Sequence, residues 1–358
     1  MDRRMLLGGA VASASLLPAP AVLGQAPVRM RMVTTWPRNA PGVGTNAQWL
    51  ADRLTRVTDG RLEIELFAAG ELVPAFEALD AVQQGVAEMA HSAPFFWLGK
   101  SEALNYFGSI PFGLTASEIA GWLEFGGGQA LWDEAMAPFG IKPYFVGSSG
   151  VSAGGWFREP VESLADLEGL KFRIAGLGAE VMRRLGATPV LTPPSDVFAA
   201  MAAGTVDAAE LIGPWNDQAF GLYRVAKYYV QPGFHEVGPT AELLVSRAAL
   251  DGLPEDLRLA IETTALASAM RYHADYTFHN VMALQPLVED HGVLLRVYPD
   301  DVIEALGRTS LEVLDELGEA NALTRKIHRS YRPFLERANT YSQWFTGLIL
   351  TTRAGVLG

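Results

Sequence analysis

Two ionisable residues lie inside apolar segments, where a charge is costly to bury. Arg173 falls within the predicted strand 170–174, and Glu210 falls within the predicted strand 206–212. A buried charge needs a partner because its desolvation otherwise costs several kcal/mol. Either both residues pair with structural neighbours, or Arg173 presents its planar fork to a ligand carboxylate while Glu210 holds a cation or a ligand hydroxyl.

A second chemical signal is the run Gly150–Gly154 (GVSAG), which matches the G-x-S-x-G pattern of a hydrolase nucleophile, with Ser152 as the serine. That geometry needs a helix directly after the serine, so that its hydroxyl is exposed on a sharp turn. Residues 155–160 instead indicate a strand that ends at a proline. The strand predicted after Ser152 therefore argues against an enzyme. A serine hydrolase that uses Ser152 is the alternative function.

Composition excludes several other classes of function. Lys and Arg total 28 against 40 Asp and Glu, a formal charge of −12, which removes the electrostatic basis for binding nucleic acid. The chain has no cysteine, so disulfides, Cys-ligated metals and thiol nucleophiles are excluded. The six histidines lack H-E-x-x-H spacing, and no glycine-rich nucleotide-binding motif occurs.

Residues 1–24 are typical of an export signal peptide. An arginine pair at positions 3 and 4 precedes an apolar run over residues 5–17, and small residues follow. The run is shorter than the roughly 20 residues that a membrane span requires. We expect cleavage after Gly24 and a location in the periplasm, with either the Tat or the Sec pathway as the export route.

The elements that position these residues alternate between strands and helices, which predicts an α/β protein with parallel sheets. The run 147–155 (GSSGVSAGG) has little side-chain bulk and marks a boundary between two lobes. The predicted lobe I comprises residues 27–150 and 241–278. The predicted lobe II comprises residues 151–240 and 279–358, including C-terminal helices.

One predicted helix is much longer than a single lobe requires. The run 254–291 is helical in composition and extends about 50 Å at 1.5 Å per residue. Such a helix most simply spans both lobes, with a kink near Pro286. The fold class is therefore α/β with two lobes and a long spanning helix.

The mature chain resembles the periplasmic substrate-binding proteins of tripartite ATP-independent periplasmic (TRAP) transporters, in the DctP-like branch that takes up 2-oxo and 2-hydroxy carboxylates. The resemblance covers most of the chain. It is carried by residues 68–100, 126–132 (GGGQALW), 154–186 (including GGWFREPVESLADLEGLKFRI) and 206–217 (VDAAELIGPWND). It implies a two-lobe periplasmic-binding-protein fold with hinge strands that cross between the lobes.

The resemblance also implies roles for individual residues. Arg173, in the KFRI run, matches the arginine that clamps the substrate carboxylate. Glu210 matches a carboxylate that ligates Na⁺ or Ca²⁺ together with a main-chain carbonyl, here that of Leu211, in relatives with a metal-bridged substrate. Such oxygen ligands suit hard cations. The predicted substrate-binding residues are Arg173, Ser152, Phe95, Trp97, Trp215 and Asn216.

Aromatic residues at Phe95, Trp97 and Trp215 follow predicted strands, at the edge where open α/β sheets bind ligands. Aromatic residues alone are more typical of a core, so their assignment depends on the charged residues nearby.

The sequence departs from the metal-binding relatives at two places, so whether a metal ion binds is left undecided. Ser152-Ala153 replaces Gln-Met, and Leu211 replaces a tryptophan. A serine is too short to ligate where a glutamine reaches. The exchange of large for small side chains predicts room for an acid longer or bulkier than pyruvate.

The predicted function is capture of an organic monocarboxylate between the lobes and delivery to the membrane subunits of a TRAP transporter. A sensor that docks on a receptor is a further alternative. The apolar segment 341–350 (YSQWFTGLIL) either covers a partner subunit in a homodimer or packs on its own lobe.

Overall fold

A computed structural model describes residues 26–357, so the predicted signal peptide lies outside the described residues. The strands are β1 (Val28–Thr34), β2 (Leu62–Phe67), β3 (Met89–Ser92), β4 (Ile141–Ser148), β5 (Gly155–Phe157), β6 (Lys171–Arg173), β7 (Thr188–Val190), β8 (Ala208–Ala209), β9 (Tyr228–Gln231), β10 (Thr240–Ser246) and β11 (Leu294–Val297). The helices are α1 (Val43–Val57), α2 (Ala78–Gln83), α3 (Asn105–Gly108), α4 (Ala116–Phe125), α5 (Gly128–Met136), α6 (Gly176–Arg184), α7 (Val197–Ala202), α8 (Pro214–Ala219), α9 (Arg247–Asp251), α10 (Glu255–Glu289), α11 (Asp300–Glu319), α12 (Ala322–Ser342) and α13 (Leu348–Leu357).

Two mixed sheets form the centres of two lobes. The sheet of lobe I has the order β2-β1-β3-β10-β4, and that of lobe II has the order β11-β9-β5-β8-β6-β7. β10 is antiparallel to β3 and β4, and β5 is antiparallel to β8 and β9. The prediction of parallel sheets is therefore wrong for these two strands. Each arrives from the other lobe without an intervening helix, and a parallel neighbour requires a longer crossover connection.

Up to the end of α10, the chain passes between the lobes three times. Residues 149–154 lead from β4 to β5, residues 232–239 lead from β9 to β10, and α10 forms the third connection. In α10, the Ser268 hydroxyl donates to the Val146 carbonyl of lobe I at 2.9 Å, whereas Asn280 Oδ1 accepts from the Trp215 amide of lobe II at 3.0 Å. The predicted two-lobe fold with hinge strands and a spanning helix is confirmed.

The two crossing segments run side by side. The Ser152 amide donates to the Glu236 carbonyl at 2.9 Å, and the Gly154 amide donates to the Val230 carbonyl at 2.9 Å. A Cβ on Gly233 would lie 1.8 Å from the Ser152 carbonyl oxygen, so only glycine permits this approach. The low side-chain bulk seen in the sequence therefore serves close backbone packing at the hinge.

The C-terminal helices divide between the lobes. α11 contacts lobe II, where Arg184 of α6 pairs with Glu316 at 2.6 Å. α12 contacts lobe I instead: the Tyr331 ring packs edge-on against the buried Trp122 at 5.2 Å, and its hydroxyl accepts from the Leu114 amide. The expected assignment of all residues 279–358 to lobe II therefore fails for α12, because its apolar face completes the core of lobe I.

Beyond α12, a π-helical turn (Gln343–Gly347) leads into α13. The large apolar side chains of this segment are exposed, including Trp344 at 70% and Phe345 at 65%. Packing of this segment on its own lobe, one of two possibilities left open by the sequence, is therefore not observed. Within residues 26–357, no helix combines the length and apolar character needed to cross a membrane.

Candidate functional site

A cavity lies between the lobes, where the carboxyl ends of strands from both sheets face each other. Its walls are mostly apolar or aromatic, with contributions from both lobes, the crossing segments and α10. The aromatic lining residues are Trp36, Phe95, Phe96 and Tyr272, and the charged ones are Arg173, Glu210 and Glu236. A largely apolar cavity with a few converging polar groups is the usual form of a small-molecule site.

Arg173 is the last residue of β6 and is 2% exposed. Its Nη1 donates to the Glu210 carbonyl at 2.7 Å and to Glu210 Oε1 at 2.6 Å. Its Nε and Nη2 both donate to the Thr192 carbonyl, at 3.2 and 3.1 Å. Since a guanidinium has five N–H groups, one N–H on Nη2 is left for a ligand. Bidentate capture of a carboxylate therefore requires Arg173 to release a present partner.

Glu210 directly follows β8, whose parallel register pairs Ala209 with Arg173. Its Oε1 accepts from Arg173 and from the Ala175 amide, whereas its Oε2 has no hydrogen-bond partner within residues 26–357. Burial acts to raise the pKa of Glu210, but the charge of Arg173 and contact with His235 outweigh it and lower that pKa. Glu210 is therefore ionised at neutral pH, and the neighbour of its buried Oε2 is the imidazole of His235.

Glu236 is a third charged residue at the cavity, and it lies in the second crossing segment. Its Oε2 accepts from the Ser152 hydroxyl at 2.9 Å. Burial, with the neighbouring charge of Glu210 as the second cause, raises the pKa of Glu236 to about 7. Sequence reasoning tested His235-Glu236 only as part of a zinc motif and missed this role. The available signal was an ionisable pair between glycines and prolines in a segment that joins two lobes.

These side chains form a compact cluster that can hold a cation. Ligand atoms of Glu210, His235 and Glu236 all lie within 4.8 Å of one another, and all three residues are buried. His235 Nε2 lies 3.3 Å from Glu210 Oε2. Burial lowers the pKa of His235, but contact with Glu210 outweighs this effect and raises it. Leu211, the predicted backbone ligand, lines the cavity beside Glu210.

The other predicted binding residues divide between the cavity and the surrounding core. Phe95 lines the cavity, whereas Trp97, Trp215, Asn216 and Ser152 do not. The indole of Trp97 turns into lobe I and donates to Glu242 Oε1 at 2.6 Å, and Trp215 stacks on His279 at 4.2 Å. Asn216 Nδ2 donates to the Pro41 carbonyl at 2.8 Å. Trp215 thus packs against α10, and Asn216 links lobe II to lobe I.

The structure does not form a hydrolase nucleophile at Ser152. The residue is 1% exposed, and its hydroxyl donates to a carboxylate rather than to an imidazole base. Strand β5 follows it, where a nucleophile elbow requires a helix. The G-x-S-x-G match is therefore accidental.

Two α/β lobes that enclose a cavity with a buried arginine at its floor define a solute-binding protein. Residues 32–321 match the model of the bacterial extracellular solute-binding proteins, family 7 (DctP), and the chain belongs to this family. The predicted family is thereby confirmed. Its members are binding proteins rather than enzymes, in agreement with the expected absence of catalysis.

Three similar proteins illustrate the family. A monocarboxylate 2-oxoacid-binding periplasmic protein of Nostoc sp. is 36% identical over 86% of this chain and 84% of its own. A TRAP transporter solute-binding protein of Bordetella bronchiseptica, a dimer with calcium and picolinate bound, is 34% identical with a TM-score of 0.90, covering 93% and 99% of the two chains. A TRAP periplasmic solute-binding protein of Pseudoalteromonas atlantica, with sodium and pyruvate bound, is 32% identical with a TM-score of 0.88, covering 91% and 99%.

Proposed function

We propose that the chain captures a 2-oxo or 2-hydroxy monocarboxylate between its lobes and delivers it to the membrane subunits of a TRAP transporter. The observation that carries this proposal is the buried Arg173–Glu210 pair at the floor of an apolar cavity between two lobes. A guanidinium in such a place recognises a carboxylate, and apolar walls accept the rest of the acid. The Nostoc protein, named for 2-oxoacids, and the Pseudoalteromonas protein, with pyruvate bound, support this ligand class, and the Bordetella protein, with picolinate bound, supports a monocarboxylate.

In this proposal Arg173 binds the ligand carboxylate, and Glu210 with the Leu211 carbonyl binds a Na⁺ or Ca²⁺ ion. Glu210 Oε2, which lies 3.3 Å from His235 Nε2, would be a suitable ligand for such an ion. When bound, the cation supplies a positive charge that attracts the ligand carboxylate.

The proposed ligand is larger than pyruvate. Leu211 stands where the metal-binding relatives carry a tryptophan, so it leaves room beside Glu210 in the cavity, whose other walls include Phe95 and Phe96. The apolar walls favour an aliphatic or aromatic side chain on the acid, because burial of such a group contributes roughly 25 cal/mol per Å². Phe95 is the predicted binding residue that serves as such a wall.

Capture couples to closure of the lobes about the crossing segments and α10. The acid contacts Arg173 of lobe II and Phe95 of lobe I only when the lobes are close together, so binding favours the closed form. The closed form is then the one presented to the transporter. We further propose that the signal peptide of residues 1–24 directs export through the Tat or Sec pathway.

The test is a thermal-shift screen of the chain without residues 1–24 against organic acids, amino acids and sugars, with and without EDTA. A ligand that binds only the native state raises the melting temperature by mass action. We expect a rise of several degrees with 2-oxo and 2-hydroxy monocarboxylates alone. Calorimetry then gives the affinity. A melting temperature that none of the acids raises would contradict the proposal.

We also propose a homodimer in which the C-terminal segment of each copy covers the other. Residues 341–350 expose Trp344, Phe345 and Ile349, and the outer face of α10 exposes Met270 at 74% and Phe278 at 62%. Exposed apolar stripes of this extent are typical of protein interfaces. A second copy of the chain presents both apolar surfaces, residues 341–350 and the outer face of α10, so each can cover the other. The Bordetella relative is described as a dimer.

A further inference from the structure

A hydrogen bond between Asn216 and Pro41 joins the two lobes away from the cavity. Asn216, on α8 of lobe II, is buried, and its Nδ2 donates to the carbonyl of Pro41 in lobe I at 2.8 Å. Neither residue lines the cavity. A ligand in the cavity therefore does not supply or replace this hydrogen bond, which forms only when the lobes are together.

We propose that this hydrogen bond is a latch of the closed form, and that Asn216 is a positioning residue that raises the affinity for every acid by the same factor. The inference rests on the proposed function, in which binding of an acid favours the closed form. Asn216, a predicted substrate-binding residue, thus contributes to binding through closure of the lobes rather than through contact with the substrate.

The donor of the latch is fixed to lobe II by its neighbour on α8. Asp217 Oδ2 accepts from Trp156 Nε1 of β5 and from the Tyr229 hydroxyl of β9, both at 2.8 Å. Both strands belong to the sheet of lobe II. Because Asn216 and Asp217 are adjacent on one helix, Asn216 moves together with that sheet.

The acceptor of the latch is fixed to lobe I by the loop 36–42. At the start of this loop, the Trp36 indole donates to His91 Nδ1 of β3 at 2.9 Å, and the Trp36 carbonyl accepts from the Ala69 amide at 3.0 Å. Burial lowers the pKa of His91 to about 3, so its imidazole stays neutral and can accept this hydrogen bond. Trp36 also lines the cavity, so one loop carries both a cavity wall and the acceptor of the latch.

The long helix α10 closes the latch off from water. The ring of Tyr276 packs edge-on against Trp215 of lobe II at 5.5 Å, and a Cβ on Gly42 of lobe I would lie 2.2 Å from that ring. The Tyr276 hydroxyl donates to the Pro41 carbonyl at 3.4 Å, so Asn216 makes the shorter of these two hydrogen bonds. Removal from water strengthens a hydrogen bond, because water no longer competes for its donor and acceptor.

A latch outside the cavity changes affinity by a population shift. An acid that binds the closed form more tightly has a higher apparent Kd when the closed form is less populated. Loss of one hydrogen bond changes the ratio of closed to open form by about 2- to 12-fold. Since the acid does not touch Asn216, the same factor applies to a small acid and to a large one. Loss of a cavity wall would instead weaken the two acids unequally.

The test is calorimetric titration of the wild type and Asn216→Ala with pyruvate and with 2-oxooctanoate. We expect the variant to bind both acids more weakly by one common factor, about 2- to 12-fold. Asn105→Ala is the matched control, because Asn105 is equally buried and its Nδ2 donates to the Glu102 carbonyl at 2.9 Å, within lobe I. It should leave the affinity for both acids unchanged.

A second measurement follows the lobes directly and needs no ligand. The chain has no cysteine, so Arg56→Cys on α1 and Ala199→Cys on α7, at exposed positions on different lobes, each accept one spin label. Pulsed electron paramagnetic resonance then gives the populations of the closed and open forms. We expect Asn216→Ala to lower the ratio of closed to open form and Asn105→Ala to leave it unchanged.

Unchanged affinity for both acids in Asn216→Ala would overturn the inference. A loss for one acid only would also overturn it, because that result would place Asn216 in contact with the ligand, and so would an equal loss in Asn105→Ala. If the wild type binds no acid at all, the proposed function fails and the label distances alone decide the inference. A lower ratio of closed to open form in Asn216→Ala then supports the latch, and an equal ratio overturns it.

Discussion

Arg173 Nη1 lies 2.6 Å from Glu210 Oε1, and both side chains are buried at the same cavity. The two interpretations of these residues in the sequence therefore do not exclude each other. The pair is a structural ion pair in the absence of ligand, and it is also the charged floor of the cavity. The attraction of Glu210 holds the side chain of Arg173 in position while no ligand carboxylate is bound.

Arg173→Ala should abolish binding of organic acids. Truncation of one partner of a buried charged hydrogen bond costs about 2 to 5 kcal/mol, or roughly 30- to 5,000-fold in Kd. Calorimetry with the acid selected by the screen measures this loss. The variant should also unfold at lower temperature, because Glu210 loses the partner of its buried charge.

Arg173→Lys separates binding from folding. It keeps the positive charge beside Glu210 but loses the planar fork, so we expect a near-normal melting temperature and weak acid binding. Arg29→Ala is the matched control, since Arg29 forms an exposed pair with Glu63 far from the cavity. Acid affinity that stays at the wild-type value in both Arg173 variants would refute the role of this residue.

Leu211→Trp should shift ligand preference towards small acids. The indole fills part of the cavity beside Glu210, and overpacking against a bulky ligand costs typically about 1 to 3 kcal/mol. Competition among C3, C5 and C8 2-oxo acids measures the effect. The wild type should prefer the longer acids, and the variant should lose at least about five-fold in affinity for the C8 acid relative to pyruvate. A wild type that binds pyruvate best would contradict the predicted pocket size.

Glu242→Gln should stabilise the protein increasingly as pH rises. Burial raises the pKa of Glu242 to about 8, above its ordinary value of 4.5. The folded chain therefore binds a proton that the unfolded chain releases, and this stabilisation is complete below about pH 4.5 and lost as pH rises towards 8. Each pH unit inside that window removes up to about 1.4 kcal/mol.

Urea unfolding of Glu242→Gln and the wild type between pH 5 and 8 checks this sign. The amide oxygen can still accept from Trp97, so the variant keeps the contact while losing the titration. Asp217, whose pKa burial raises to about 7, remains in both proteins and preserves part of the slope. A free-energy difference that is constant with pH would show that Glu242 does not titrate in this range.

Substitution of Trp344 and Phe345 by serine should produce monomers without loss of stability. Both side chains are mostly exposed in the isolated chain, so their removal affects only contacts with a second copy. Light scattering after size-exclusion chromatography should show a dimer for the wild type and a monomer for the double variant. Phe125→Ser, at a site that is 89% exposed and outside both stripes, should remain dimeric. A monomeric wild type would contradict the proposed dimer.

The parts of the site that were predictable from sequence carry strong local signals. A charge inside an apolar strand is rare, so Arg173 and Glu210 could be recognised without knowledge of the fold. Glu236 lies in a loop, where charges are ordinary, and only the approach of the two crossing segments brings it to the cavity. Trp97 follows its strand as Phe95 does, and sequence alone does not indicate which of the two rings points into the core.

The fold shows the same division between local and long-range information. Alternation and helical periodicity predicted most strands and the long helix α10, whose bounds of Glu255–Glu289 fall within the predicted run. The antiparallel direction of β5 and β10, and the packing of α12 on lobe I, depend on contacts between residues about 50 to more than 200 positions apart. No local pattern encodes such contacts.

The place of β10 between β3 and β4 has a consequence for the order of folding. Lobe I cannot close its sheet until residues 240–246 have been synthesised, after all of β5 to β9. Lobe II in turn waits for β11, which follows α10. Long-range strand pairing of this kind is intrinsically slow, and unpaired strand edges stay exposed meanwhile. A fragment ending at residue 150 would lack β10, the strand that joins β4 to the rest of its sheet, so lobe I is not an independent folding unit.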